Sequence, residues 1–367
     1  MVITSEAVGA ATRTLTMGVE EEFLLVNRAG GDLSLCGPEI TGLLGDERVK
    51  TEVMRYQLET VTGVCGCPEE AGSQLLELRR RAASAAAEAG CLLLASGVAP
   101  QRLPGGPAVT PDPRYRELDR RFGRLLARTG TCGCHVHVGI PSREVGVQVL
   151  TRVRPWLATL LAVSANSPIA NGRDTGWEST RYKRWTRWPT ATAPRAWRSA
   201  ADYDAAVCRL VRRGRAIDER GVYFHARLSS RYPTVELRVM DTGLSIDDTV
   251  LVTGLARTLV GLALAELRAG EPIRRIGDMR VAAALNAAAR HGLRAPTRDP
   301  YTGRVVDHER MLATLLDRIP DPGPIAGLLQ RFRERGTGAA RQRAMWAAAG
   351  SPQEFARMMA DATLRRG

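Results

Sequence analysis

Met17–Asn27 reads MGVEEEFLLVN, three consecutive glutamates inside an apolar, strand-forming run. The two-residue side-chain period of a strand puts Glu20 and Glu22 on one face, about 7 Å apart, with Glu21 on the other. Burying two like charges that close costs several kcal/mol unless cations or arginines compensate them. The stretch therefore asks for a metal. The alternative is an exposed edge strand whose acids are solvated.

Three other stretches carry the same signal. Gly133–Ile140, GCHVHVGI, alternates cleanly, so His135, His137 and Gly139 share one face while Cys134, Val136, Val138 and Ile140 share the other. Thr234–Asp241, TVELRVMD, sets Thr234, Glu236 and Arg238 opposite Val235, Leu237 and Val239. Thr51–Thr62, TEVMRYQLETVT, is predicted as a further strand carrying Glu52 and Glu59. Their odd separation puts them on opposite faces of a regular strand, whereas a helix or a bulge would bring them together. Strands that pair an apolar face with a face of Glu, His or Arg predict an α+β fold. Its curved antiparallel sheet has a polar concave face, and helices pack on the outer face.

Helices are predicted from Pro68 to Gly90, over Arg114–Arg128, over Arg143–Ala165 with an interruption at Pro155, around Asp202–Arg215, and throughout the chain beyond Asp247. No internal repeat or low-complexity linker divides the sequence. One ligand-binding domain over 1–367 is expected, its chemistry in the sheet-bearing part 14–248 and helices in 249–367.

The chain has 367 residues and a net charge of +13, a balance that raises nucleic acid as a partner. Lys50 and Lys183 are its only lysines, however, and the arginines are scattered among alanines as a compositional bias would scatter them, so no nucleic-acid partner is expected. The pairs Cys65/Cys67 and Cys132/Cys134 lack the second pair or spaced histidines of a zinc site. With no signal-peptide pattern and no run of about 18 apolar residues, the expectation is a cytoplasmic protein with reduced thiols and no membrane partner.

Ile169–Trp197 lacks apolar periodicity but holds Arg181, Lys183, Arg184, Arg187 and four tryptophans. That composition predicts a mobile basic flap closing over an anionic ligand. Acids with histidines suit Mg²⁺ or Mn²⁺, and arginine on the same surface makes sense if the metals carry a phosphate. No P-loop and no glycine-rich Rossmann turn is present. An ATP enzyme of this kind would bind its nucleotide through metals on an antiparallel sheet.

The ordered runs GVEEEFLLV, QLETVT, CHVHVGI, SANSP with DTGWESTR, and RYPTVELRVMD resemble the glutamate–cysteine ligase family, in particular its bacterial carboxylate–amine ligase branch, type 2. The resemblance spans about Thr14 to Asp248. It implies a glutamine-synthetase-like fold and Mg²⁺-ATP (or Mn²⁺-ATP) chemistry in which an acyl phosphate is attacked by an amine, with glutamate and cysteine as default substrates. Carried over by position, it implies metal ligands at Glu20, Glu22, Glu52, Glu59, His135 or His137, and Glu236. Nucleotide contacts fall at Arg238, Glu22 and His137, and catalytic roles at Arg238, Glu59 and Arg181. Substrate contacts fall at Asn166, Asp174, Trp177, Arg181 and Arg227. Partners are then a small carboxylate and an amine, and a homodimer is compatible with this reading.

Two departures bear on the substrate. Phe224, His225 and Ala226 precede Arg227 where the branch usually reads Trp-Asp, and Arg184/Arg187 with Trp185/Trp188 replace a plainer loop. Rival readings are an amide ligase using another acid or amine and a metal-dependent hydrolase or phosphatase.

Overall fold

The computed structural model describes residues 5–105, 108–272, 276–319 and 322–366. Its main sheet is built from β1 (Met17–Asn27), β2 (Val49–Thr51), β3 (Gln57–Val61), β4 (Cys91–Leu94), β5 (Gly133–Gly139), β8 (Ala226–Leu228) and β9 (Thr234–Asp241). The short strands β6 (Ile169–Ala170) and β7 (Arg173–Asp174) form a hairpin apart from it. The order is β2-β3-β1-β5-β9-β8, with β4 on the distal half of β1, and every ladder is antiparallel.

Register decides what the polar face holds. Glu22 lies opposite Glu59 and Glu20 opposite His135. His137 lies opposite Glu236, and Glu236 opposite Arg227. Because the side-chain period is two, a slip of one residue in any ladder would move its charged set to the apolar side. On that other side Val19, Val136, Val138, Val235, Leu237 and Val239 join Leu251, Leu255 and Leu259 in one buried cluster. The last three belong to the helix Ile246–Arg268. It is capped by Ser245, whose N–H donates to Asp248 Oδ2 at 2.9 Å.

That central helix is the only one among the described residues long and apolar enough to cross a membrane, and 89% of its apolar window is buried inside the protein. The expectation that no such run exists is corrected here. The helix is apolar all round because helices Ser5–Arg13, Pro68–Glu88, Arg143–Val153, Leu157–Ser164 and Gly323–Arg335 surround it along with the sheet.

One further expectation changes. Thr51–Thr62 is a hairpin and not one strand: residues 52–56 leave the ladder because Arg55 N–H donates to Ala108 O at 2.7 Å and Met54 bridges to Val109. Met54 and Tyr56 are thereby buried in a second apolar cluster with Leu118, Leu126 and Trp188. The turn supplies the irregularity that brings Glu52 round to Glu59. At Pro155 the expected interruption takes the form of one 3₁₀ turn, Arg154–Trp156, between Arg143–Val153 and Leu157–Ser164.

Glu21, on the helix side of β1, is fully buried and paired with the equally buried Arg79. Arg79 Nε donates to Glu21 Oε2 at 2.9 Å, and Thr249 Oγ1 donates to Glu21 Oε1 at 2.6 Å. The same guanidinium donates to Thr363 O at 2.8 Å and to Gly243 O at 2.9 Å. One ion pair thus ties the first strand to the helix Pro68–Glu88, to the start of the central helix and to the C-terminal helix, Pro352–Thr363. Arg79→Met is expected to lower the unfolding free energy by about 3–5 kcal/mol, because it leaves the Glu21 charge buried without a partner. Adding Glu21→Met should recover part of that loss. Urea titrations of the two variants check this, and a single-variant loss below about 1 kcal/mol would place the pair outside the forces that hold the sheet.

Candidate active site

The register collects four glutamates and two histidines on the concave face, and the β2–β3 turn adds Glu52. His135 Nδ1 is 3.1 Å from Glu20 Oε2, and His137 Nε2 is 3.4 Å from Glu20 Oε1. His137 Nδ1 is held by Thr234 Oγ1 at 2.9 Å, while its Nε2 has no hydrogen-bond partner. His135 Nε2 lies 3.8 Å from Glu22 Oε1 and His137 Nε2 3.9 Å from Glu236 Oε1. Three overlapping groups bring ligand atoms within 4.8 Å of one another: Glu20/His137/Glu236, Glu20/Glu59/His135 and Glu22/Glu52/Glu59. An orphaned buried imidazole nitrogen beside oxygen-rich groups fits a hard divalent cation such as Mg²⁺ or Mn²⁺. No cysteine joins a metal-capable group among the described residues.

The cluster is electrostatically lopsided. Burial works against ionisation of Glu236, but Arg238 and Arg227 outweigh it and hold the carboxyl well below the usual range. Arg227 Nε donates to Glu236 Oε2 at 2.6 Å and Nη2 to Oε1 at 3.3 Å, and Arg238 pairs with the same carboxylate. Burial also opposes the Glu20 charge, yet the hydrogen bond with His135 and the nearby His137 ring hold the carboxyl well below its ordinary value. Burial pushes His135 down to about 4, so the ring is neutral and Nδ1–H is assigned as donor to Glu20.

The opposite end has no such partners. Burial, then Glu52, raises Glu22 to about 8, although Gly133 N–H donates to its Oε2 at 2.6 Å. Burial and the charges of Glu20, Glu52 and Glu22 raise Glu59 well above the ordinary value, and burial raises Glu52.

Two hollows meet at this cluster. A polar one of about 280 Å³ is lined by the acids together with Arg181, Arg227, Arg238, Lys50 and Arg114. An apolar one of about 660 Å³ is lined by Leu15, Met17, Val19, Val61, Ile140 and Pro233, with the exposed Val64 and Tyr232 on its wall. Glu20, His137, Val61 and Tyr232 line both.

Not every residue singled out in the sequence comes to this place. Asn166, Asp174 and Trp177 do not line the polar hollow. The Asn166 side-chain amide donates to Ala95 O at 3.1 Å and Thr242 O at 2.8 Å, which makes it a backbone brace. Asp174 accepts from Arg343 Nε at 2.9 Å, and Trp177 lies between Lys183 at 4.6 Å and Arg290 at 5.3 Å. The segment around DTGWE is a staple to the C-terminal helices. Arg227 reaches the hollow with its Nε and Nη2 engaged by Glu236.

The expected flap is also corrected. Thr180–Trp185 is a docked helix, with Arg181 2% exposed and Tyr182, Arg184, Trp185 and Trp188 buried. Arg181 donates to Val239 O and Arg238 O, both at 3.2 Å, and its guanidinium lies 4.7 Å from the Trp185 ring. Arginine–carbonyl and ring contacts dock this segment where an apolar stripe would usually do so. His225 packs beneath it, its ring 4.8 Å from that of Trp185 and outside the polar hollow. Sequence reasoning missed Lys50, Arg114, Tyr115 and Tyr223 in the lining. Of these only Lys50 left a signal, as one of two lysines in an arginine-rich chain.

Comparison with known proteins accords with this geometry. The family model for glutamate–cysteine ligase family 2 matches residues 16–354. A Rhodococcus jostii protein of the glutamate–cysteine ligase 2 type is 42% identical over 95% of this chain and 96% of its own. A Salinispora tropica protein of that type is 41% identical over 90% of each chain. Among solved structures, a Francisella tularensis glutamate–cysteine ligase in complex with AMP superposes with a TM-score of 0.64 at 13% identity, over 95% of this chain and 88% of that one. A bifunctional glutathione synthetase from Pasteurella multocida gives 0.65 at 15% identity over 97% of this chain, which spans 53% of it. On the extent of the family match and the identity to these relatives, the chain belongs to glutamate–cysteine ligase family 2, a family of ATP-dependent carboxylate–amine ligases.

Proposed function

We propose that this protein uses ATP to phosphorylate a substrate carboxylate and then transfers the acyl group to an amine, with glutamate and cysteine as the default pair. The observation that carries the reading is the meeting of an apolar and a polar hollow at a cluster of acids, histidines and arginine. In this reading the apolar hollow takes the nucleotide base, and the phosphates reach the junction at Glu20 and His137. Arg238, whose Nε has no hydrogen-bond partner, offsets charge on the transferring group. Arg181, also with an unpartnered Nε, receives the acid substrate in the polar hollow.

Glu20, Glu22, Glu52, Glu59, Glu236 and one or both histidines would hold Mg²⁺, which supplies Lewis-acid stabilisation of the phosphates. The chain's own part is to orient the reactants and keep water from the acyl phosphate. A docked wall of Trp185, Trp188 and Tyr223 suits that task.

Hydroxylamine tests the first half of the reaction alone. With ATP, Mg²⁺ and a panel of acids, glutamate first, hydroxamate formation matched by ADP release is expected. Phosphate release from ATP that no acid stimulates would instead favour a hydrolase.

Metal binding should release a proton, because Glu22, held at about 8, carries one near neutral pH without metal. Calorimetric heats of Mg²⁺ binding at pH 7 should therefore differ between buffers of low and high ionisation enthalpy, and equal heats would contradict the assignment. The stability consequence has a definite sign. A carboxyl whose folded-state pKa is raised contributes stability below its ordinary value near 4.5, and that contribution is lost as pH rises towards about 8. Thermal melts of the metal-free protein should fall across this window, and Mg²⁺ should restore them.

Glu22→Gln mimics the protonated acid, so it should leave the metal-free melting temperature unchanged or higher. Turnover should nonetheless fall by about two orders of magnitude. A folded variant with wild-type turnover would remove Glu22 from the site.

A further inference from the structure

Arg181 is buried at 2% exposure, lines the polar hollow, and has contacts that converge on one residue outside it. That residue is Asp241, at the end of β9, fully buried and absent from the lining of the hollow. Its Oδ1 accepts from Ser179 Oγ at 2.8 Å, and Ser179 caps the helix that carries Arg181 by accepting from Tyr182 N–H at 3.1 Å. Its Oδ2 accepts from Ser167 Oγ at 2.6 Å, and Ser167 Oγ accepts the Arg181 backbone N–H at 3.1 Å. The Arg181 guanidinium itself lies 3.9 Å from Asp241 Oδ1. Helix start, backbone and charged head of Arg181 are each one step from the same carboxylate.

Glycines make room for the arrangement. A Cβ on Gly133 would lie 2.2 Å from Arg181 Nη2, and a Cβ on Gly97 2.7 Å from the Asp241 carboxyl. Gly133 also donates its N–H to Glu22. The guanidinium therefore occupies the space that any side chain at 133 would fill, beside the backbone that holds Glu22. Asp241 sits on the strand that carries Glu236 and Arg238, so the placement of Arg181 is referred to the register of the acid cluster.

We propose that Asp241 is a positioning residue for the acid substrate: through Ser167, Ser179 and the guanidinium it fixes Arg181 over Gly133 at the height of Glu22. This rests on the reading of Arg181 as the group that receives the acid. A residue that only stabilised the fold would lower the folded fraction and leave each KM alone. A residue that sets the height of Arg181 changes the KM for the acid and leaves that for ATP nearly unchanged, because the nucleotide is held from the other hollow.

The test uses the full-length protein with Asp241→Asn, which keeps the size but removes the charge and one of the two acceptor oxygens, and with Ser179→Ala as a milder variant should the first not fold. Two readouts are taken. Steady-state ADP release should show the KM for the acid raised about tenfold, with the KM for ATP within about twofold of wild type. Independently of any activity, protein labelled with 5-fluorotryptophan reports the Trp185 ring under the Arg181 guanidinium by fluorine NMR, its signal assigned with Trp185→Phe. That signal should shift in both variants.

An unshifted Trp185 signal in folded variants, or KM values for acid and ATP that both stay at wild type, overturns the proposal. A shifted signal in a protein whose wild type shows no acid-dependent ADP release supports the positioning role and removes the ligase reading of the site.

Discussion

The structure depends on how it manages five carboxylates converging on one face of a sheet. Two unit charges 4 Å apart interact by about 4 kcal/mol at an effective dielectric of about 20, so the cluster cannot be fully ionised without counter-charge. Among the described residues, arginines form direct ion pairs with the cluster at one end only. Arg227 and Arg238 attend Glu236, and the histidines attend Glu20, while burial and neighbouring acids push Glu22 and Glu59 upward and burial raises Glu52. A site built only to be stable would spread its cations evenly. The uneven distribution leaves the three-glutamate end as the place where a bound cation would gain most, because there it replaces protons and has no arginine to displace.

The opposite face obeys the same electrostatics with another outcome. Glu21, between two residues of the cluster in sequence, faces the helices and meets Arg79 with full hydrogen bonding. The triple glutamate thus splits into two roles through the strand period alone: one acid organises the core, while its neighbours are left under-compensated for chemistry. The alternation of VEEEF, HVHVG and VELRV made this division legible in the sequence, along with the antiparallel sheet and its polar face. Alternation could not place Glu52, because the turn that delivers it forms from long-range contacts of Arg55 and Met54 with residues 108 and 109.

What misled the sequence reading was binding by groups that usually mark a surface. Between 169 and 197 the lack of apolar period and the number of arginines suggested mobility, yet each arginine buried there has a local physical partner. Arg181 donates to strand carbonyls and lies over Trp185, and Arg184 Nη1 donates to Thr129 O at 3.4 Å. The order of motifs identified the family, but order does not say which motif faces the ligand. Asn166, Asp174 and Trp177 look chemically suited to a substrate and are engaged in bracing the chain.

A docked segment alters how water must be kept from a reactive intermediate. With Trp185 and Trp188 buried as part of the wall, exclusion on that side is built in before any ligand arrives. The open side is the apolar hollow, where Val64 and Tyr232 stand exposed and Tyr232 lies edge-on to His137 at 6.2 Å. In the proposed reaction a nucleotide base covering that surface would close the approach to the junction from the apolar hollow. ATP would then serve as both phosphoryl donor and plug, so the order of binding would bear on coupling: nucleotide seated first seals the cluster before the acid is activated, and no moving arm of protein is required.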